Sequence, residues 1–284
     1  MNLGVPLGLG SGLTWGAADF LGGLQSRRLP ALTVALWSQV AGGLALGAAI
    51  VVLGTRPLAA ELAWGMAAGV GGGVALVLFY RGLAEGTMSV VAPVSACSAI
   101  VPVAAALLGG EEPGAVAGLG VLAAVVGVVL VSRTRAHRPQ RTGLSGRVLA
   151  MALGAALGFG LFYVFVDAGT AVPGGSPLSV IAGARASSLA TLSTIALVGG
   201  RSGLRWPGRR IGPVALVGLG DTAANLLFAY AAITGNLAVV GVLGSMYPVA
   251  TVILARWLLG ERLSAGQNAG VVLALSGVGL LAAA

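Results

Sequence analysis

The residues best placed to do chemistry in this chain are charged side chains set deep in apolar sequence. Arg185 and Asp221 each fall near the middle of a long hydrophobic run, and Asp19 lies in another. A charge near the midplane of a bilayer costs at least ~2.5–3.5 kcal/mol on insertion scales, so it faces a cavity or a partner. Arg185 lies about eight residues into its run, about 12 Å deep at 1.5 Å per residue. Asp221 lies about ten residues into the next run from the opposite side, about 15 Å deep. The two can meet near the midplane, either as a structural ion pair or as cavity groups that hold a substrate or a proton. Asn225, one turn beyond Asp221 on the same helix face, extends the polar stripe or joins helices through its amide. Trp15 stands one turn before Asp19. An acid and an indole together suit a cationic or aromatic group; the competing role for Asp19 is an interfacial acid paired with Arg27 or Arg28. Gln39 and Ser38 supply an amide and a hydroxyl to a second run, where helix packing is the alternative. Tyr247 is deeper than Tyr80 and Tyr230, which read as interfacial anchors, and it can line a cavity. Trp64, Trp206 and Trp257 read as further interface anchors. Glu261, at a run junction, reads as a helix cap or as the partner of Arg262. The candidate substrate-binding set is therefore Arg185, Asp221, Asn225, Trp15, Asp19, Gln39 and Tyr247.

Other chemistries lack their parts. The single His (His137) sits in a polar connection, so no Ser-His-Asp arrangement is available. No Cys/His cluster suits a metal, and no GxxxxGK[ST] loop suits a nucleoside triphosphate. No cofactor and no metal are expected. Cys97, the only cysteine, reads as a small buried hydrophobe.

The elements that must carry these side chains follow from composition. Of the 284 residues, 57% are hydrophobic and 8% charged, against roughly 25% charged in a soluble domain. That excludes a soluble enzyme, a nucleic-acid binder and a disordered chain. A bilayer-spanning helix needs about 20 apolar residues, and ten runs qualify: roughly 3–24, 31–54, 59–82, 87–109, 114–132, 147–168, 177–199, 211–233, 237–259 and 264–283. Period-2 alternation is absent, which argues against a barrel. The first run has no basic leader and reads as a retained span. The longest polar stretch, Ser132 to Arg147, falls near the midpoint. The expected organisation is a first unit over 1–132, a cytoplasmic linker over 133–147 and a second unit over 148–284. Spans alternate sides, and fourteen of the sixteen Arg fall on one set of loops, leaving Arg56 on the other set and Arg185 inside a span. Basic loops stay in the cytoplasm, so both termini are expected on the non-cytoplasmic side. The net charge of +8 is thus a topology signal, not a nucleic-acid one.

The two halves repeat. FYRGLAEGTMSVV (Phe79–Val91) matches FAYAAITGNLAVV (Phe228–Val240), and LLGGEE (Leu107–Glu112) matches LLGERL (Leu258–Leu263). Gly120 and Gly127 match Gly270 and Gly277, and LGLGSGLTWG (Leu7–Gly16) matches MALGAALGFG (Met151–Gly160). Each half holds five spans, an odd number, so the second must sit inverted relative to the first. Inverted repeats are a common transporter plan. Pro93, Pro102 and Pro248 fall in matched spans, where a missing N–H bends a helix, and are candidate gating positions. Gly43-x3-Gly47, Gly65-x3-Gly69, Gly154-x3-Gly158 and Gly266-x3-Gly270 predict close helix approach. Gly71-Gly72-Gly73 suggests a flexible point.

These patterns resemble the EamA-type branch of the drug/metabolite transporter superfamily over nearly the whole chain. The resemblance rests on Trp15-Gly16, on YPVATVILARWLLGERLS (Tyr247–Ser264) with Pro248 and Glu261, on Gly270, Gly277 and Val278, and on Arg185 within its span. In the first half, Ser98 stands near the position of Pro248 and Gln39 at that of Arg185. The resemblance implies an all-α polytopic membrane protein of ten transmembrane helices in two inverted five-helix repeats. Spans 1–4 and 6–9 would surround a central cavity, with spans 5 and 10 peripheral. It implies a secondary transporter or facilitator of small metabolites, often amino-acid export, by alternating access in a bacterial-type inner membrane. A paired Arg185 and Asp221 suits a zwitterion. The expected partners are a small-molecule substrate and the lipid bilayer, without nucleic acid; a monomer is compatible with the sequence. The rival readings are a membrane-embedded enzyme acting on lipids, which wants acids or His at headgroup depth, and a non-transporting scaffold, which needs neither matched kinks nor midplane charges.

Overall fold

The structure is a computed structural model that describes residues 3–110, 114–133, 145–174, 176–198, 204–234 and 247–283. Among these residues it is all helical. The helices are α1 (Gly4–Ser26), α2 (Ala31–Leu53), α3 (Ala59–Glu85), α4 (Met88–Ala96), α5 (Ile100–Leu108), α6 (Ala115–Arg133), α7 (Gly146–Thr170), α8 (Pro177–Val198), α9 (Ile211–Thr234), α10 (Tyr247–Leu259) and α11 (Ala265–Ala283). A 3-10 turn, Cys97–Ala99, joins α4 to α5, so these two make one broken span and the described helices fill ten spans. Six segments are long and apolar enough to cross a membrane by length and composition, and three shorter apolar helices lie at α6, α10 and α11. Leu44, Val52, Leu108 and Val198 stand on the outer surface, as lipid-facing side chains do. His137, Glu111, Glu112 and the matched segment from Gly235 to Val240 lie outside the described residues.

Local chemistry sets the helix ends. The N–H of Leu58 donates to Glu61 Oε2 at 2.9 Å, which closes the first turn of α3. Ser145 caps α7 by accepting the N–H of Val148 at 3.2 Å. Gly54 and Gly260 end α2 and α10 with φ of 63° and 64°, a region that favours glycine. The expected linker is trimmed at both ends, because Arg133 belongs to α6 and Arg147 to α7.

Packing runs through matched partners. α3 lies along α7 and α8, and α9 lies along α1 and α2. α10 packs on α1, and α4 packs on α7. α6 and α11 pair with each other at the edge of the bundle and reach the rest chiefly through α4. Glycine makes these approaches possible. A side chain at Gly69 would strike the carbonyl of Ala184, and one at Gly218 would strike the carbonyl of Ser38. Likewise Gly16 abuts the Tyr247 carbonyl, and Gly160 abuts the Ser98 carbonyl and Val101. Gly120 faces Gly277, while Gly127 faces Gly270.

Several expectations need correction. Gly43 and Gly47 make no close helix contact: the space beside Gly47 is open, and Gly43 meets only Leu189 at 3.8 Å. They line an apolar groove between α2 and α8 instead. Tyr80 is not an interfacial anchor; it is buried against Gly22 in the main core. Pro248 lies at the edge of the described residues, next to 235–246, so its place as an interruption of span 9 falls outside them. Span 4 does break, between Pro93 and Pro102, because Pro102 cannot donate to the carbonyl four residues back.

Candidate functional site

A cavity of about 110 Å³ lies within the bundle. All seven residues of the candidate set line it: Trp15 and Asp19 from α1, Gln39 from α2, Arg185 from α8, Asp221 and Asn225 from α9, and Tyr247 from α10. α3 contributes Gly69, Gly72 and Gly73, and α7 contributes Phe159, Phe162 and Tyr163.

Arg185 organises the polar wall. It is buried, and its guanidinium forms an ion pair with Asp221. Nη1 donates to Gln39 Oε1 at 2.6 Å, and Nη2 reaches Thr222 Oγ1 at 3.4 Å. Three partners on two helices therefore fix the planar fork, and its charge is matched by Asp221. Gln39 and Arg185, which the sequence aligns as equivalent positions, touch each other here. Asn225 spends its amide on its own helix, donating to the Asp221 carbonyl at 2.7 Å, so it does not join helices through that donor.

Asp19 differs from Asp221. Among the described residues it has no ion pair and no hydrogen bond. Of the expected alternative partners, Arg27 or Arg28, Arg27 is engaged elsewhere: its Nη2 lies 3.3 Å from Glu261 Oε1. Glu261 does not pair with Arg262. Its two oxygens accept the N–H groups of Met88 and Ser89 at 3.0 and 2.9 Å, at the N-terminus of α4, where a carboxylate also meets the positive end of the helix dipole. This triple contact ties α1, α4 and the α10–α11 connection together. Beside it Phe20, Tyr80, Leu83, Met88 and Val91 are buried in one cluster at the arginine-rich end of the bundle. A smaller cluster, centred on Leu46, Leu178 and Ile181, lies toward the opposite end.

Sequence reasoning missed Thr222 and the aromatic wall of α7. Phe159, Phe162 and Tyr163 fall at i, i+3 and i+4, which places them on one helix face; that spacing could have found them. Two glycines of the α3 triplet, Gly72 and Gly73, line the cavity and yield room to Phe162 and Ser188. Trp206 and Trp257 are exposed and Trp64 partly so.

Residues 2–133 and 146–283 each match the family model described as the EamA-like transporter family. A solved crystal structure of another protein has the same fold, with a TM-score of 0.62 at 17% identity over 98% of this chain and 95% of that one. No curated protein matches the sequence.

Proposed function

The chain belongs to the EamA-like transporter family, and on that premise we propose that it is a secondary transporter or facilitator of small metabolites, working by alternating access, with amino-acid export the activity to test first. The observation that carries this reading is the cavity, where charged and polar side chains from both halves converge deep within apolar helices. A lipid-acting enzyme has no use for such a chamber between repeats, and a scaffold has no use for its buried charges.

The proposed architecture is a pair of inverted repeats. The contacts that favour it come in exchanged pairs. Gly69 against Ala184 has its counterpart in Gly218 against Ser38, and Gly16 against Tyr247 has its counterpart in Gly160 against Ser98. Gly120 meets Gly277 while Gly127 meets Gly270, the reciprocal pattern of a two-fold axis, with α6 and α11 running antiparallel. Matched helices of opposite direction fit an axis in the membrane plane. Two such halves can rock about the cavity. In this reading the arginine-rich end is cytoplasmic, both termini face outward in an inner membrane, and the structure is closed on the cytoplasmic side. Pro93 and Pro102 would let span 4 flex at Cys97–Ala99, with Pro248 opening the matched span 9. Arg185, Asp221, Asn225, Trp15, Asp19, Gln39 and Tyr247 would contact the solute.

The test is efflux from proteoliposomes loaded with a labelled panel of amino acids and small amines. The reading predicts saturable, protein-dependent efflux of at least one solute. Rates equal to those of empty liposomes across the panel would contradict it.

A further inference from the structure

The charges of the cavity do not balance. Two carboxylates, Asp19 and Asp221, and one guanidinium, Arg185, line it. Asp221 takes up the positive charge of Arg185. The two Nη atoms of Arg185 also give hydrogen bonds to Gln39 and Thr222, so a carboxylate entering the cavity meets a cation whose charge is already matched. Asp19 is left without an ion pair or hydrogen bond among the described residues. A lone carboxyl in a low-dielectric site is held either as the neutral acid or against a counter-charge, and an entering ammonium supplies that counter-charge. The cavity wall that Asp19 shares carries Trp15, one turn away on α1, Tyr163 and Phe162 on α7, and Tyr247 on α10. Trp15 is held by Phe228, with ring centroids 5.7 Å apart. Aromatic faces attract cations, and they also shelter an apolar body.

We propose that Asp19 is the anchor for the ammonium group of the solute, and that the cavity selects amines or organic cations with an aromatic or apolar body over zwitterions and anions. The inference rests on the transport reading and narrows its substrate class. Arg185 and Asp221 then act as an internal strut that shapes the wall, not as the pair that grips a zwitterion. A free amino acid brings a carboxylate that must face Asp19 and Asp221 while the one lining cation is already paired. The same molecule without that carboxylate keeps the favourable contact and loses the unfavourable one.

Three probes share one body and differ only in charge: phenethylamine, phenylalanine and 3-phenylpropionate. Calorimetric titration of the purified full-length protein in nanodiscs measures each. The proposal expects phenethylamine to bind at least roughly tenfold more tightly than the other two, the usual size of a charge-assisted contact. Asp19→Asn, which keeps the side chain's shape, should weaken phenethylamine by a similar factor while the melting temperature holds. Asp19→Glu should retain binding. Equal or tighter binding of phenylalanine or 3-phenylpropionate would overturn the proposal. So would unchanged phenethylamine binding in a folded Asp19→Asn protein, or no detectable binding of any of the three. None of these results touches the transport reading, which fails only if the efflux panel shows no protein-dependent flux. If Asp19→Asn does not fold, loss of cation selectivity in Trp15→Leu replaces it, and unaltered selectivity there counts against the proposal.

Discussion

At the scale of single residues, the account turns on a guanidinium whose charge is matched by Asp221 and whose two Nη atoms are engaged. Removing it strands Asp221 beside the cavity. Breaking a fully buried pair from one side typically costs about 3–5 kcal/mol, and Asp221 is partly open to the cavity, so Arg185→Ala should cost roughly 2–3 kcal/mol. Removing both charges with Arg185→Gln and Asp221→Asn should recover most of that loss. Thermal unfolding of the two single variants and the double variant measures the coupling; strictly additive losses would mean that the pair contributes nothing as a pair. The charged members of this site are legible in the sequence, because an isolated charge within a long apolar run needs a reason to be there. The partner choices are not. Whether Asp19 faces Arg27 or the cavity depends on Glu261, over two hundred residues away, taking Arg27 first. Thr222 and the α7 aromatics carry no charge, and in so apolar a chain they look like any lipid-facing residue.

At the scale of elements, one carboxylate ties three segments together at the arginine-rich end of the bundle. Glu261 accepts two N–H groups at the start of α4 and pairs with Arg27. Glu61 has an analogous local role elsewhere, accepting from Leu58 and from Ser176 across the α7–α8 connection. Neither arrangement follows from spacing alone, since each joins segments that only the packed fold brings together. Cys97, buried in the turn that breaks span 4, is a native reporter of movement there. Loss of the Glu261 contacts frees the N-terminus of α4. Glu261→Ala should therefore raise the rate at which a maleimide labels Cys97 by severalfold, with the protein still folded. An unchanged rate would separate the latch from the break. The ten spans themselves are readable from run length, but the glycine motifs are not equally informative. Gly65-x3-Gly69 packs on α8 as expected, whereas Gly43-x3-Gly47 opens on a groove. Small residues permit close approach; the neighbour decides whether it happens.

At the scale of the whole molecule, helices from the two halves interleave around one chamber. α3 of the first half packs on α7 and α8 of the second, and α9 of the second packs on α1 and α2 of the first. The halves are thus not separate domains with a seam between them, and each supplies walls to the same cavity. In the proposed mechanism, a small relative rotation of the halves would close one end while it opens the other, without moving the charges out of the protein interior. The most direct test of that claim is access to the cavity from the two sides of the membrane. Asn225 lines the chamber. In a protein carrying Cys97→Ser and Asn225→Cys, an impermeant maleimide is applied to membrane vesicles of either orientation. Alternating access predicts that the introduced thiol is labelled from both sides, each treatment protecting against the other. Labelling from one side alone, with or without transported solute, would contradict it.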